Sequence, residues 1–318
     1  MNAINKESFR TYLHGVEVDY FISSASFEDR CLGVCLALDY STIKKSAIFG
    51  TTDFHEKVEE RRHRMIELCR PSAVESIDLK IDDPVFSFVQ MANFCSQIFI
   101  DDAKNVLLDI TTFTHEGLLM LFRLLYLGKR NQDKILISYI GAKTYSANET
   151  DSEDKWLTKG VKGTRSIIGY PGYFEPSQKN HLIILVGFEK ERTIKLIEEF
   201  DFDIVTLAFG SKSDSISGVH QNLNEQKHKE VTEIFSTAQK LEISLTDPFV
   251  VKTQILNHIK LYPYYNTVIA PMNNKISTIG AGLAAIDNQD IQLFYMQANV
   301  YNVDSYSEAG DDFYLIEV

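Results

Sequence analysis

The sequence predicts an α/β fold: two Rossmann-like, mostly parallel sheets with flanking helices, related by internal duplication. Three observations carry this. Runs such as Val106-Leu-Leu and Leu182-Ile-Ile-Leu-Val are continuously apolar, as parallel strands covered on both faces are. These runs alternate with stretches of helical length, the rhythm of a parallel sheet with crossover helices. Finally, landmarks recur in the same order at a nearly constant spacing.

Four landmarks repeat. Phe21-Ile-Ser-Ser-Ala-Ser-Phe-Glu-Asp-Arg30 returns as Leu182-Ile-Ile-Leu-Val-Gly-Phe-Glu-Lys-Glu-Arg192. A strand ending in Phe-Gly and hydroxyls runs from Ala47 to Asp53 and again from Leu207 to Asp214. A strand, a polar loop and an apolar helix start at Val106 and again at Thr267. Tyr, Ala and Tyr hold fixed places in Ser138 to Tyr145 and in Phe294 to Tyr301. The offset is 161 between Phe27 and Phe188, 160 between Phe49 and Phe209, and 156 between Tyr145 and Tyr301. Any two α/β domains share apolar strands, but shared identities in order with so little drift favour duplication.

The elements follow in turn. Residues 1–15 read as a short leading helix. Val16–Ser23 is a strand and Glu28–Leu38 a helix, on which Cys31 and Cys35 share one face. Lys45–Gly50 is the next strand. Asp53 stands in N-cap position for a charged helix ending at Cys69, and Glu56–Arg64 is its solvated face. Ser76–Ile81 is a short strand and Pro84–Ile100 a helix. Val106–Ile110 is a buried strand, Glu116–Leu127 a helix and Lys134–Ile140 a strand. The second half repeats this from His181 to Asn302. The expected division is 1–146, a polar connector 147–179, and 180–318. The connector carries Trp156 and the turn Tyr170-Pro-Gly-Tyr173, and reads as a linker or a β-hairpin arm. Asp311–Val318 would add an edge strand.

The 318 residues carry 32 Lys+Arg against 44 Asp+Glu, a formal net charge of −12. That balance argues against a coat for long nucleic-acid duplexes, whose affinity comes from clustered Lys and Arg. It leaves room for a small anion in a local pocket. No stretch approaches the ~20 apolar residues of a membrane span, and the N-terminus lacks the apolar core of a signal peptide. The four cysteines (Cys31, Cys35, Cys69, Cys95) form no CxxC, which fits a reducing cytoplasm. Cys31 and Cys35 read as small buried residues, with a redox pair as the other reading. His55 and His63, and the trio His220, His228 and His258, lack metal-ligand spacing, so neither a metal nor a cofactor is expected. Phosphate-loop, dinucleotide and nucleophile-elbow motifs are absent.

Ligands of open α/β sheets bind beyond the carboxyl ends of the strands, and three of the four landmarks are turns on that edge. Asp109-Ile-Thr-Thr-Phe-Thr-His115 sets hydroxyls and a His between a strand and a helix N-terminus, where free N–H groups and the helix dipole favour an anion. Thr111, Thr112 and Thr114 are therefore candidate ligand contacts and His115 a candidate general acid/base. The plainer reading is that Thr114 caps the helix and Thr111 packs in the strand. The matching loop offers Asn273, Asn274 and Lys275. A Lys at a helix N-terminus opposes the dipole and is tolerable with an anion between them; alternatively it points into solvent. Gly280 and Gly282 beyond it suggest close packing of that helix. Ser23, Ser24, Glu28 and Arg30, and in the second half Gly187, Glu189 and Arg192, complete the candidate set. Glu28–Arg30 and Glu189–Arg192 also read as local ion pairs at helix starts.

The polar loop after a buried strand resembles the hallmark of CRISPR-associated Rossmann-fold (CARF) sensor domains and their relatives. There a strand ends in an Asp/Asn-x-Thr-Gly-Gly-Thr-Lys-like loop and runs into an apolar helix. Asp109, Thr111, Thr114 and His115 fall on that pattern, and Asn273-Asn274-Lys275 resembles its Lys end. Thr112-Phe113 replace the two glycines, His115 replaces the Lys, and the second loop is a residue short and has no Thr. The resemblance implies two paired Rossmann domains, here fused in one chain, with a cyclic oligonucleotide lying across a shared cleft and in some members slowly cleaved. It also implies an antiviral-defence setting; no attached nuclease, helix-turn-helix or protease is visible in the sequence, so an effector would be a separate chain or absent. The leading expectation is thus a cytoplasmic sensor of a nucleotide or similar anionic small molecule. A non-enzymatic interaction subunit of a defence complex, suggested by 20 Phe and 15 Tyr, and a nucleotide-cleaving enzyme using His115 are the alternatives.

Overall fold

The computed structural model describes residues 3–52, 56–100, 102–145, 158–187, 189–214, 226, 228–303 and 307–318. The expected cap Asp53, the landmark Phe188, Trp156, and His55 and His220 lie outside the described residues. The chain divides into two compact units, Met1–Lys155 with Val303–Val318, and Trp156–Asn302. Each contains one six-stranded sheet.

The first unit opens with α1 (Lys6–Leu13), started by Asn5, whose side chain accepts from the Ser8 amide at 2.8 Å, the usual chemistry of an Asn cap. Then follow β1 (Val18–Ser24), α2 (Cys31–Cys35), β2 (Ile43–Thr51), α3 (Glu56–Cys69), β3 (Ala73–Leu79), α4 (Pro84–Cys95), β4 (Asn105–Asp109), α5 (His115–Gly128) and β5 (Lys134–Tyr145). The second unit holds β6 (Thr158–Pro171), β7 (Lys179–Leu185), α6 (Lys190–Glu199), β8 (Ile204–Gly210), β9 (Gln239–Ile243), α7 (Pro248–Ile259), β10 (Tyr265–Pro271), α8 (Lys275–Asp287) and β11 (Gln292–Tyr301). The last strand, β12 (Ser307–Glu317), returns to the first unit.

The sheet orders are β12-β5-β4-β1-β2-β3 and β6-β11-β10-β7-β8-β9. All neighbours pair in parallel except the outermost, β12 on β5 and β6 on β11. Counted within each unit, the parallel strands run 5-4-1-2-3 in both. The order therefore reverses between β1 and β4, and between β7 and β10, and this reversal is where open α/β sheets form their ligand crevice. β1 is buried along its whole length, its polar residues Asp19, Ser23 and Ser24 included. One core gathers Phe9, Phe21, Ile48, Leu107 and Phe313, the other Leu182, Ile184, Leu207, Val268 and Ala270. Each such side chain contributes about 1.5–3 kcal/mol by leaving water.

Several expected bounds differ. The helix expected over Glu28–Leu38 shrinks to Cys31–Cys35, because Glu28 and Arg30 turn inward to form contacts described below. The strand expected at Ser76–Ile81 lies at Ala73–Leu79, and the helix from Pro84 ends at Cys95 rather than Ile100. The larger correction concerns the division 1–146, 147–179 and 180–318. From Thr158 the connector is a 14-residue edge strand of the second sheet, not a linker or a hairpin arm. The expected C-terminal edge strand exists, but it completes the first sheet. The two sixth strands are exchanged: β6 follows β5 in the chain yet pairs with β11, and β12 follows β11 yet pairs with β5.

The four cysteines are buried thiols, and burial pushes those of Cys31 and Cys95 up to about 12. Gly280 bears out the close packing expected of its helix: a Cβ there would lie 2.5 Å from Val251 Cβ on α7. No helix among the described residues is long and apolar enough to cross a membrane.

Candidate functional site at the strand ends

In the first unit the reversal lies between Ser24, the end of β1, and Asp109, the end of β4. Asp109 is 1% exposed. One carboxylate oxygen accepts from the Ser23 hydroxyl (2.9 Å) and the other from the Thr111 amide (3.1 Å) and hydroxyl. Burial pushes this carboxyl up to about 6, while the bonds from Thr111 and Ser23 and the charge of Arg30 pull the other way. The Thr111 hydroxyl also accepts from the Ile140 amide at 3.1 Å. The Thr112 hydroxyl donates to the Ser24 carbonyl at 2.7 Å, which fastens the β4 loop to the end of β1. Thr114 caps α5 by accepting from the Gly117 amide at 3.0 Å. The hydroxyls of Thr111, Thr112 and Thr114 thus bond within the chain and fix the loop's shape. What the loop turns outward is the start of α5, with half-buried His115 as its first residue.

The second unit builds the same place with amides. Asn273 donates to the Val186 carbonyl at 2.6 Å and accepts from the Asn274 amide at 2.7 Å. Asn274 caps α8 through the Ser277 amide (2.8 Å) and donates to the Leu245 carbonyl (2.7 Å). Asn273 therefore plays the part of Thr112, tying the fourth-strand loop to the end of the first strand. Gly187 permits that approach, because a Cβ there would stand 2.0 Å from the Met272 carbonyl oxygen. Lys275 is the first residue of α8 and half-buried.

The repeated Phe-Glu…Arg landmark serves the exchanged strands. Arg30 (4% exposed) pairs with Glu28 at 2.6 Å, donates through Nε to the Ser307 hydroxyl at 3.0 Å, and reaches the Ile140 carbonyl at 3.2 Å. Ser307, the first residue of β12, also donates to Glu28. In the second unit Arg192 donates to the Met296 carbonyl, the counterpart of Ile140. Glu189 accepts from the Thr158 amide, the start of β6, at 2.9 Å. In both units the Arg holds the fifth strand and the Glu catches the incoming sixth. The local ion pair is present in the first unit.

One feature separates the units. Ser23, Asp109 and Ser138 stand side by side on β1, β4 and β5, all 1% exposed or less, and the Ser138 hydroxyl has no partner. Their counterparts are Ile184, paired with Ala270, and Phe294, all part of an apolar cluster. An identical strand order is reached with apolar residues there, so the polar row is not a requirement of the fold. Burying a carboxyl is expensive, and perturbed groups of this kind concentrate at functional sites.

Sequence reasoning did not single out a second polar cluster. His181, fully buried at the start of β7, meets the Thr206 hydroxyl at 2.7 Å, and Thr206 meets His258 at 2.9 Å. The Nδ1 of His181 has no partner. An orphaned lone pair costs less than an orphaned N–H, so His181 donates from Nε2 to Thr206, which donates to His258. Burial holds His181 down at about 4, helped by His258, and lowers His258 as well. This cluster lies at the opposite edge of the sheet from the loops above. The clue in the sequence was a His inside an otherwise apolar strand.

No protein-family model matches the sequence, and no curated protein sequence matches it. Among solved structures, the fold is similar to that of a type III CRISPR defence DNA nuclease activated by cyclic oligoadenylate. That match has a TM-score of 0.51 and 8% identity, over 92% of this chain and 68% of that one. A SAM-dependent methyltransferase from Leishmania major aligns at TM-score 0.26 and 10% identity over 53% of this chain and 67% of its own. A UDP-GlcNAc 2-epimerase from Neisseria meningitidis aligns at 0.26 and 10% over 80% and 77%.

Proposed function

We propose that the protein is a cytoplasmic sensor of antiviral defence that binds a nucleotide, a cyclic oligonucleotide being the leading candidate, at the carboxyl edge of its sheets. The observation that carries this reading is the buried row Ser23–Asp109–Ser138 at the strand-order reversal of the first unit, which the second unit replaces with apolar residues. A buried carboxyl that the fold does not need is retained for what it positions, and it positions the Thr111–Thr114 loop. A loop held in one shape presents the N–H groups of α5 to an anionic ligand without a further ordering cost. In the first unit His115, at the start of α5, is the side chain offered to such a ligand, and in the second unit Lys275 holds the matching place at the start of α8. Likeness of fold to a nuclease activated by cyclic oligoadenylate supports the ligand class. The shared strand order supports an origin by duplication of one unit.

Calorimetry with a panel of linear and cyclic nucleotides tests this. His115→Ala and Lys275→Ala are expected to weaken binding about tenfold each, the effect of losing one hydrogen bond to a charged group. No heat from any nucleotide, or the same affinity in both variants, defeats the reading. A partner-binding role without a nucleotide is the second reading. It is favoured by exposed apolar side chains just behind the repeated Asp-Pro caps, Val85 and Val89 on α4 and Phe249 and Val250 on α7. Its mark would be a co-purifying protein with a silent nucleotide panel.

A further inference from the structure

In the second unit the strand that ends in Phe-Gly and hydroxyls leads to Asp214. Asp214 closes a short turn, Lys212–Asp214, beyond β8 and is half-buried. Its Oδ2 accepts from the loop after β9: the Ser244 hydroxyl at 2.8 Å, the Leu245 amide at 3.0 Å and, at the limit of reach, the Thr246 hydroxyl at 3.5 Å. The Ser213 hydroxyl reaches Oδ1 at 3.3 Å. Gly210, the last residue of β8, lets Leu245 settle over the strand end, because a Cβ at Gly210 would stand 2.6 Å from Leu245 Cδ1. Leu245 is thus held twice, by its side chain at β8 and by its amide on Asp214.

The carbonyl of Leu245 continues the series into the candidate site. It accepts from Asn274 Nδ2 at 2.7 Å, while Asn274 Oδ1 accepts from the Ser277 amide at 2.8 Å and so caps α8. Asn273 accepts from the Asn274 amide at 2.7 Å and donates to the Val186 carbonyl at 2.6 Å. The loops after β7, β8, β9 and β10 are therefore joined in one hydrogen-bonded series, with Asp214 at one end and Val186 at the other. α8 begins inside it. Bonds to a carboxylate are stronger than those between neutral groups, so Asp214 is the firm end of the series. In the first unit Thr114 caps α5, and a threonine has no amide nitrogen with which to reach a neighbouring loop.

We propose that Asp214 is a positioning residue of the second-unit site: through Leu245 and Asn274 it fixes where α8 begins, and hence where Lys275 and the first-turn amides of α8 are held. It acts on a ligand only through these residues. The effect on a ligand rests on the nucleotide reading, and the coupling of Asp214 to α8 does not.

Hydrogen exchange on the full chain tests the coupling with no ligand present. Asp214→Ala is expected to speed exchange of the Ser277 amide and its neighbours at the start of α8 by about tenfold, the effect of losing one hydrogen bond to a charged group, and to leave the start of α5 at the parent rate. Asp214→Asn keeps an oxygen for Ser244 and Leu245 and is expected to recover most of the protection. Asn274→Thr gives α8 the kind of cap that α5 has and removes the bond to Leu245. In that background Asp214→Ala is expected to add nothing at the start of α8, since the two residues lie on one path. The proposal is overturned by a parent rate at the start of α8 in Asp214→Ala, by an equal loss in Asp214→Asn, or by the full effect of Asp214→Ala persisting in the Asn274→Thr background. Quickening spread evenly over both units overturns it as well. Calorimetry supplies the second readout: a nucleotide that binds the parent should bind Asp214→Ala about tenfold more weakly and Asp214→Asn nearly as well as the parent. Equal affinity in Asp214→Ala would remove the positioning role. A panel silent with the parent defeats the nucleotide reading alone, and the exchange rates still decide the coupling.

Discussion

Asp109 and His181 are buried titratable groups that act on stability with opposite signs. Burial raises Asp109 from 3.8 to about 6, so between those values the native state holds a proton that the unfolded chain has released. Its stabilising contribution is complete below the unfolded pKa and is lost as pH rises through about 6. Asp109→Asn removes the charge, keeps Oδ1 as the acceptor for Thr111, and turns Nδ2 toward Ser23, whose hydroxyl oxygen can accept from it. The variant is expected to exceed the parent by about 2 kcal/mol near neutral pH and above, with the gain fading toward pH ~4. Urea denaturation at several pH values measures this, and a pH-independent difference would refute it. His181 falls from 6.5 to about 4, so its contribution is full above 6.5 and lost as pH falls to about 4, ~3 kcal/mol in all. A chain carrying His181→Leu should lack that acid limb, whatever its stability at neutral pH. In the parent the two effects oppose one another over the same window, so only the variants separate them. The loop hydroxyls show how far sequence reaches. Thr114 as a cap was legible, because capping is local. The partners of Thr111 and Thr112 lie on Ile140 and Ser24, and only the folded sheet brings those close.

Among the elements, the central strands were legible from continuous apolar runs such as Val106-Leu-Leu and Leu182-Ile-Ile-Leu, while the sixth strands were not. β6 begins Thr-Lys-Gly-Val-Lys-Gly-Thr-Arg-Ser and β12 begins Ser-Glu-Ala-Gly-Asp-Asp. Edge strands bury little and carry charge as protection against stray pairing, so they read as loops. Nothing local tells such a strand which sheet it joins. One signal was available and passed over: Asp83-Pro84 and Asp247-Pro248 each start the helix after a third strand, with the Asp accepting from the Phe86 amide and from the Phe249 and Val250 amides. For the Glu28–Arg30 clamp, Glu28→Ala strands a buried Arg30 and removes an acceptor of Ser307. Losing one partner of a buried ion pair costs about 3 kcal/mol or more. Hydrogen exchange should quicken in β12 before it does in β1 or β4. Unaltered protection of β12 would deny the clamp its role.

On the scale of the whole molecule, the same strand order appears twice and the chemistry of the interior only once. The sequence differences at the first strand, Ser23, Ser24 and Ser26 against Ile184, Leu185 and Gly187, make the two places unlike. Their meaning needed register, which sets Ser23 beside Asp109 and Ile184 beside Ala270. The exchange of sixth strands gives a reason for both units to travel in one chain, since each draws an edge from beyond the other's fifth strand.

That exchange also orders events on the ribosome. A unit encoded in one continuous stretch is complete soon after its last residue emerges. The first unit cannot be, because β12 is translated only after all of β7 to β11. Throughout that interval β5 is a bare edge on the nascent chain, whereas β6 has been made before any of the strands it joins. The second unit can therefore close as it is synthesised, and the first unit is finished last, although its synthesis began first.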